Sequence, residues 1–232
     1  MPFRGFPKEG LSFLRQLRRN NNRDWFALHK AKYEEHVKAP MIALVDALNS
    51  ELAAYAPMLV TDPAKAIYRI YRDTRFSSDK TPYKTQIAAS FWHRGLPKHA
   101  GAGLYVAVSA EGVDVGGGVY MPGPEELLAL RTLIAADWEI FQQLDSNRKV
   151  RSLVGELHGE ELSRVPKGFP AGHPAEAMLR KKQWYYFVTL DPALAASPKL
   201  LPEVVKRFKV MLPMIDFLNA PLLAKNRKRM QP

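Results

Sequence analysis

Apolar residues recur at helical spacing through the first quarter of the chain. Leu11, Phe13, Leu14 and Leu17 share one face and predict a short helix over Glu9–Leu17. The polar run Arg18-Arg19-Asn20-Asn21-Asn22 ends it. Asn22 is suited to cap a second helix, and Asp24 then falls in the first turn, where a negative charge suits the dipole. Trp25, His29, Tyr33 and Val37 follow at four-residue steps, so this helix is expected to run to about Val37. His29 on that stripe reads as a packed core residue, because a metal ligand would need a partner at helical spacing. Ala39-Pro40 predicts the start of a third helix, with Pro40 near its first turn. Met41, Leu44, Val45, Leu48, Leu52 and Tyr55 give it a regular apolar face, and Pro57 and Asp62-Pro63 end it.

The period then changes from helical to alternating. Ala66–Arg72 reads as a strand with Ile67, Arg69 and Tyr71 on one face and Tyr68, Ile70 and Arg72 on the other. Neither face is free of arginine, so the face that meets the core is expected to carry a guanidinium inward. Thr74–Thr81 is turn or short helix, and Lys84–Trp92 is a second strand with Ile87, Ala89 and Phe91 on one face. After the loop His93–Gly101, Leu104–Ser109 and Val113–Tyr120 flank Ala110-Glu111-Gly112, a hairpin signal. Helices are predicted over Glu125–Ala136, with interruptions over Trp138–Leu157, and briefly over Ala175–Lys182. Trp184–Leu190 (WYYFVTL) is the strongest strand signal in the chain and is expected to join the same sheet. A final helix over Glu203–Leu218 should be kinked or split at Pro213. The pattern predicts a single α+β domain over residues 1–222: an antiparallel sheet of about five strands with helices packed on it. Residues 223–232 form a basic, mobile tail containing Lys225, Arg227, Lys228 and Arg229.

Composition narrows the function classes. The chain has no cysteine, which excludes disulfides, thiolate metal sites and a cysteine nucleophile. No apolar run approaches the ~20 residues needed to span a bilayer, and MPFRGFPKEG lacks the apolar core of a signal peptide. A cytoplasmic location is expected. The net charge of +11 favours an anionic partner. Because the charge is dispersed, nucleic acid is the weaker expectation beside a phosphate-bearing or otherwise anionic small molecule.

Fixed charge, aromatic rings and turn residues are densest in Ile67–Trp92. Arg69, Arg72, Arg75, Lys80 and Lys84 oppose Asp73 and Asp79 there, leaving three positive charges between Ile67 and Lys84 without a local carboxylate. Arginine forks suit phosphate or carboxylate oxygens, and Tyr83 and Phe76 offer rings to stack on. Arg69, Arg72, Arg75, Lys80, Tyr83 and Lys84 are therefore the candidate ligand-binding residues. Asp73 and Asp79 are candidate orienting or acid–base groups. Two readings stay open: a ligand site, with or without catalysis, and a structural ion-pair network in a non-enzymatic interaction module that offers a basic surface to an acidic protein or nucleic acid. Gly116-Gly117-Gly118 reads as a bulge or a site of tight packing, and no Gly-Lys-Ser/Thr follows to make a phosphate loop. The backbone N–H groups of Gly117 and Gly118 would complete an anion site if the hairpin abuts the central strands. His93, His99 and His158 lack a recognised metal-ligand spacing, so no metal is expected, and no cofactor is specified.

RDTRFSSDKTPYKTQ (Arg72–Gln86), NNRDWF (Asn21–Phe26) before it and VGGGVYMP (Val115–Pro122) after it together resemble the DUF2461 family of uncharacterised bacterial proteins. The resemblance runs from about Phe3 to Leu218. It includes the KGF…HP loop (Lys167–Pro174) and the basic triplet near Lys181. It implies no catalytic assignment, because the family has no established activity.

Overall fold

The computed structural model describes residues 3–230, with side chains to Asn226. The side chains of Arg227, Lys228 and Arg229 in the basic tail lie outside the described residues. The order is α1 (Lys8–Arg19), α2 (Arg23–Tyr33), α3 (Ala39–Tyr55), α4 (Pro63–Ala66), β1 (Gln86–Trp92), β2 (Gly103–Ser109), β3 (Val113–Val119), α5 (Pro124–Ala136), α6 (Trp138–Asp145), α7 (Arg148–Val154), α8 (Glu176–Leu179), β4 (Trp184–Leu190) and α9 (Leu200–Met230). The four strands form one antiparallel sheet in the order β1-β2-β3-β4. The fold is α+β, as the hydrophobic pattern predicts. Among the described residues no helix is long and apolar enough to cross a membrane.

Alternation decides which face of the sheet is covered. Phe91, Leu104, Gly117 and Tyr186 stand in one row across it, and Ala89, Val106, Val115 and Val188 in the next. This face takes the helices, with Met211 of α9 lying against Gly117. Phe13, Leu14 and Leu17 of α1 and Met41, Leu44, Val45, Leu48 and Leu52 of α3 are buried in the same core. The other face has no helix packed along it and carries aromatic side chains.

Three local departures from the sequence reading have physical causes. Pro40 stands in the first turn of α3, as expected, but α3 is not a separate helix. Pro40 lies inside a helix that continues from α2 to α3 through a π turn at Glu34–Lys38. Proline has no N–H to give the carbonyl four residues back, and its ring crowds that carbonyl. The backbone widens instead, and the Ala39 N–H reaches back to the Glu34 carbonyl. The released His36 carbonyl faces Gly10 of α1, where a Cβ would stand 2.1 Å from it. Second, His29 is not in the core. It is half-buried and stacks on Trp25, ring centroids 4.1 Å apart, with Nδ1 2.7 Å from the Trp25 carbonyl oxygen. Of the predicted stripe, Tyr33 and Val37 are buried, and Phe26, off the stripe, is the other buried ring of α2. Third, α9 runs unbroken through both Pro213 and Pro221. Pro213 is on its exposed side, where water can serve the carbonyl that loses its donor.

Three segments outside the named strands are clamped by asparagines. Asn21, Asn49 and Asn219 each accept from the N–H of one distant residue and donate to that residue's C=O. Their partners are Tyr83 (3.0 and 2.9 Å), Thr61 (3.0 and 2.7 Å) and Ala102 (2.8 and 3.0 Å) respectively. A primary amide presents the same donor–acceptor pair as a peptide unit, so each asparagine substitutes for a neighbouring strand.

Candidate functional site

The segment before β1 is extended but is not the strand predicted over Ala66–Arg72. It touches the β1 side of the sheet only through bridges pairing Ile67 with Ala89 and Tyr71 with Tyr83. The Tyr83–Ala89 side is two residues longer than the Ile67–Tyr71 side, and the bend at Thr85 takes up the excess. A continuous ladder cannot form across that mismatch, so the sheet ends at β1. Three hydrogen bonds still hold the segment: Tyr68 N–H to Ala88 O at 2.9 Å, Arg72 N–H to Pro82 O at 2.9 Å and Lys84 N–H to Ile70 O at 2.8 Å.

Asn21 fixes the far end by clamping the Tyr83 backbone, and the Tyr83 ring stacks on Phe26 at 4.2 Å. Ile70 and Tyr83 are the residues that turn inward. Burial pushes the Tyr83 hydroxyl above its ordinary range, with Tyr71 adding to the effect. The guanidinium drawn furthest inward is Arg72, with its side chain 27% exposed. It donates to the Asp79 carboxylate and the Thr81 hydroxyl. Arg75 forms a two-pronged pair with Asp73 at 3.0 and 2.8 Å, and Lys80 donates to the Thr74 carbonyl at 2.9 Å. Phe76 is almost fully exposed beneath Arg75.

These pairs satisfy three of the five cations within the turn itself. Their effect on the carboxylates is large. The side-chain bond from Arg75 holds Asp73 at about 2, and that from Arg72, helped by the Thr81 N–H, holds Asp79 at about 2, against an ordinary value of 3.8. Both groups are exposed, so their interactions are screened and each pair contributes little to global stability. The sign is still defined. A lowered carboxylate adds stability above its unfolded value, and that stability is lost as pH falls from about 4 to about 2. Carboxyl carbon shifts of Asp73 and Asp79, followed by NMR through an acid titration, are expected to show midpoints near 2. Midpoints near 4 would mean that the pairs do not persist in solution.

Arg69 and Lys84 are different. Arg69 is exposed and has no hydrogen-bond or ion-pair partner among the described residues. Lys84 is half-buried, has no carboxylate partner there, and lies 5.2 Å above the Tyr68 ring. Its ammonium is pushed below its ordinary range, first by burial and then by the charge of Arg69. Tyr68 and Arg69 also line an open groove of about 640 Å³ between this segment and the π turn. Lys30, Lys38, Glu34 and Tyr71 contribute to its walls. Burial and the charge of Glu34 push the Tyr33 hydroxyl beneath the groove up to about 12.

The remaining predicted site residues lie elsewhere. Gly117 is in register with Leu104 and Phe91, on the helix-covered face and two strands from β1. Gly118 opposes Gly103 and Tyr185 at the same end of the sheet. The central turn lies off the other end of β1, so the fold does not bring these glycines to it. The triplet Arg180-Lys181-Lys182 is paired with Glu160 and Glu161. No metal-binding cluster of histidines and carboxylates occurs among the described residues. The sequence reading missed Asn21, whose role depends on a contact 62 residues away in the chain. The polar run it sits in reads as a helix break, as the source of the Asn22 cap that α2 does use, and as the start of the NNRDWF motif, none of which assigns Asn21 a partner.

Comparison with known proteins matches residues 9–217 to a family described as "Conserved hypothetical protein (DUF2461)". No curated protein and no solved structure matches the chain.

Proposed function

We propose that this chain, which belongs to the DUF2461 family, binds a phosphate-bearing or otherwise anionic ligand beside the central turn, with Arg69 and Lys84 as the receiving cations. One observation carries the reading. Two neighbouring cations, one of them half-buried, repel each other, and among the described residues neither forms an ion pair; the carboxylate whose charge reaches Arg69, Asp73, is already taken by Arg75. Burying a charge without a partner is costly, and a bound anion removes that cost. Lys30, across the groove, adds a further cation; the groove's carboxylates are Glu34, paired with Lys38, and Asp62, which caps α4.

The paired residues have a supporting role in this reading. Arg72 and Arg75 are occupied by Asp79 and Asp73, so they give the turn its shape and leave the ligand to Arg69 and Lys84. Carboxylates held at about 2 are weak bases at neutral pH and carry no proton to donate. Asp73 and Asp79 therefore orient arginines and do not move protons.

Titration calorimetry with inorganic pyrophosphate tests the site. Wild type is expected to bind. The double variant Arg69→Ala, Lys84→Ala should bind at least about tenfold more weakly, as expected for loss of charge-assisted hydrogen bonds. Arg148→Ala, an exposed cation on α7 outside the groove lining, should bind as wild type does. Equal binding by the double variant, or no binding by wild type, overturns the proposal.

A further inference from the structure

We propose that the uncovered face of the sheet binds single-stranded nucleic acid, with bases stacked on its aromatic side chains and phosphates met by the cations along its β1 edge. This rests on the anion site above and extends it to a class of ligand.

The register places the rings. On the face away from the helices, Trp92, Gly103, Gly118 and Tyr185 form one row across the four strands, and Ser90, Tyr105, Gly116 and Phe187 form the next. In each row β3 contributes a glycine, and the Phe187 ring leans over Gly116, 3.3 Å from where a Cβ would stand. The Tyr105 and Phe187 centroids lie 6.4 Å apart across Gly116. Tyr185 and Phe187 are alternate residues of β4, about 7 Å apart along the strand, a stretch suited to one unstacked nucleotide step. Phe187 is 39% exposed and neighbouring Tyr120 58%. Every base has a π-face, so a row of rings reads single strands without needing a sequence.

The charges lie where a backbone would run. Lys98 Nζ is 4.8 Å from the Trp92 ring and Lys84 Nζ 5.2 Å from the Tyr68 ring, and neither pairs with a carboxylate among the described residues. The Tyr68 ring lies 6.4 Å from Tyr105, so cations and rings form one continuous surface. Two carboxylates adjoin this face: Asp114, one row further along and accepting from the Thr189 hydroxyl at 2.7 Å, whose charge reaches Tyr105, and Glu160, paired with Lys182, whose charge reaches Tyr185. The whole chain's charge of +11 has the same sign as this edge.

Two features point to a ligand independently of charge. The Ser90 hydroxyl, on this face and in register with Tyr105, is buried with no hydrogen-bond partner, and the residue is 8% exposed. Its oxygen is closed to solvent, so a base edge reaches it only where a neighbouring side chain of this face moves aside. His99 is held at φ 65° and lies parallel to Tyr68 at 5.9 Å, so a strained backbone presents a ring to the same surface.

Fluorescence anisotropy with a short labelled oligothymidylate tests the inference. Wild type should bind it, and binding should weaken steeply with salt. Phe187→Ala and Tyr105→Ala should each weaken binding about tenfold, as loss of a stacked base does, while leaving pyrophosphate binding unchanged. Phe187→Leu, which keeps apolar bulk, guards against misfolding and should show the same loss. Pyrophosphate binding with no oligonucleotide binding would sink the inference and leave the anion site standing. Failure of both ligands would remove both. Oligonucleotide binding indifferent to Phe187 and Tyr105, equal binding of a duplex, or equal competition by polyglutamate would each overturn it. The last would identify a surface for an acidic protein instead.

Discussion

Gly118→Ala is expected to cost about 3–5 kcal/mol of folding stability. Gly118 has φ +136°, a conformation that L side chains rarely adopt, and an added Cβ would stand 2.2 Å from the Trp184 carbonyl oxygen and 2.6 Å from the Tyr185 Cα. Both obstacles are backbone of the neighbouring strand, so no rotamer change relieves them. Moving β4 would disturb Trp184, which is completely buried. Urea unfolding should show a large fall in midpoint at unchanged slope. Gly155→Ala is the control. Gly155 also has positive φ, +73°, with ψ −146°, but nothing lies within 4 Å of an added Cβ, so only the backbone strain of about 1–3 kcal/mol remains. Equal effects at the two positions would show that β4 yields to the methyl group.

The second large effect is expected at Asn219. It is 1% exposed, and its amide serves both backbone groups of Ala102, itself completely buried. Asn219→Ala leaves a buried N–H and a buried C=O unpaired, at about 1–3 kcal/mol each. A total near 3 kcal/mol is expected, read from the urea midpoint, together with faster hydrogen exchange of the Ala102 amide. Asn219→Asp has nearly the same shape but sets a carboxylate oxygen against the Ala102 carbonyl. It should be no better tolerated than alanine. A loss below 1 kcal/mol in either variant would mean that water replaces the amide.

The sequence was most legible where local and global preferences agree. Met41, Leu44, Val45, Leu48 and Leu52 announce a helix face, and all five are completely buried. The hairpin around Glu111 and the strand WYYFVTL have turn chemistry and β-propensity on their side. It was least legible where one residue acts through another far away. Pro40 looks like a helix start because proline favours that position. Its real effect depends on a carbonyl that Gly10 can approach. Ile67–Arg72 alternates like a strand, but its pairing fails for want of matched length opposite, which no property of the segment itself reveals. At the candidate site the charges were legible and their assignment was not. Nothing in the spacing separates Arg72 and Arg75, which form carboxylate ion pairs, from Arg69 and Lys84, which form none among the described residues. Asp73 and Asp79 each take one arginine, and geometry alone decides which cations remain. The open aromatic face was hidden for a similar reason. Trp92, Tyr105 and Phe187 lie on different strands and become neighbours only through the register.

The three asparagine clamps also tie the protein's useful lifetime to slow covalent chemistry. Each holds its segment through a single primary amide, the thermolabile group that proteins of hot environments use sparingly. Hydrolysis of that amide removes no bulk, but it exchanges the donor facing a carbonyl for a negative oxygen. A molecule altered in this way at Asn21, Asn49 or Asn219 does not recover on cooling. Ageing would therefore proceed by discrete, irreversible steps, each releasing one segment, and the three positions would serve as chemical clocks for the fold.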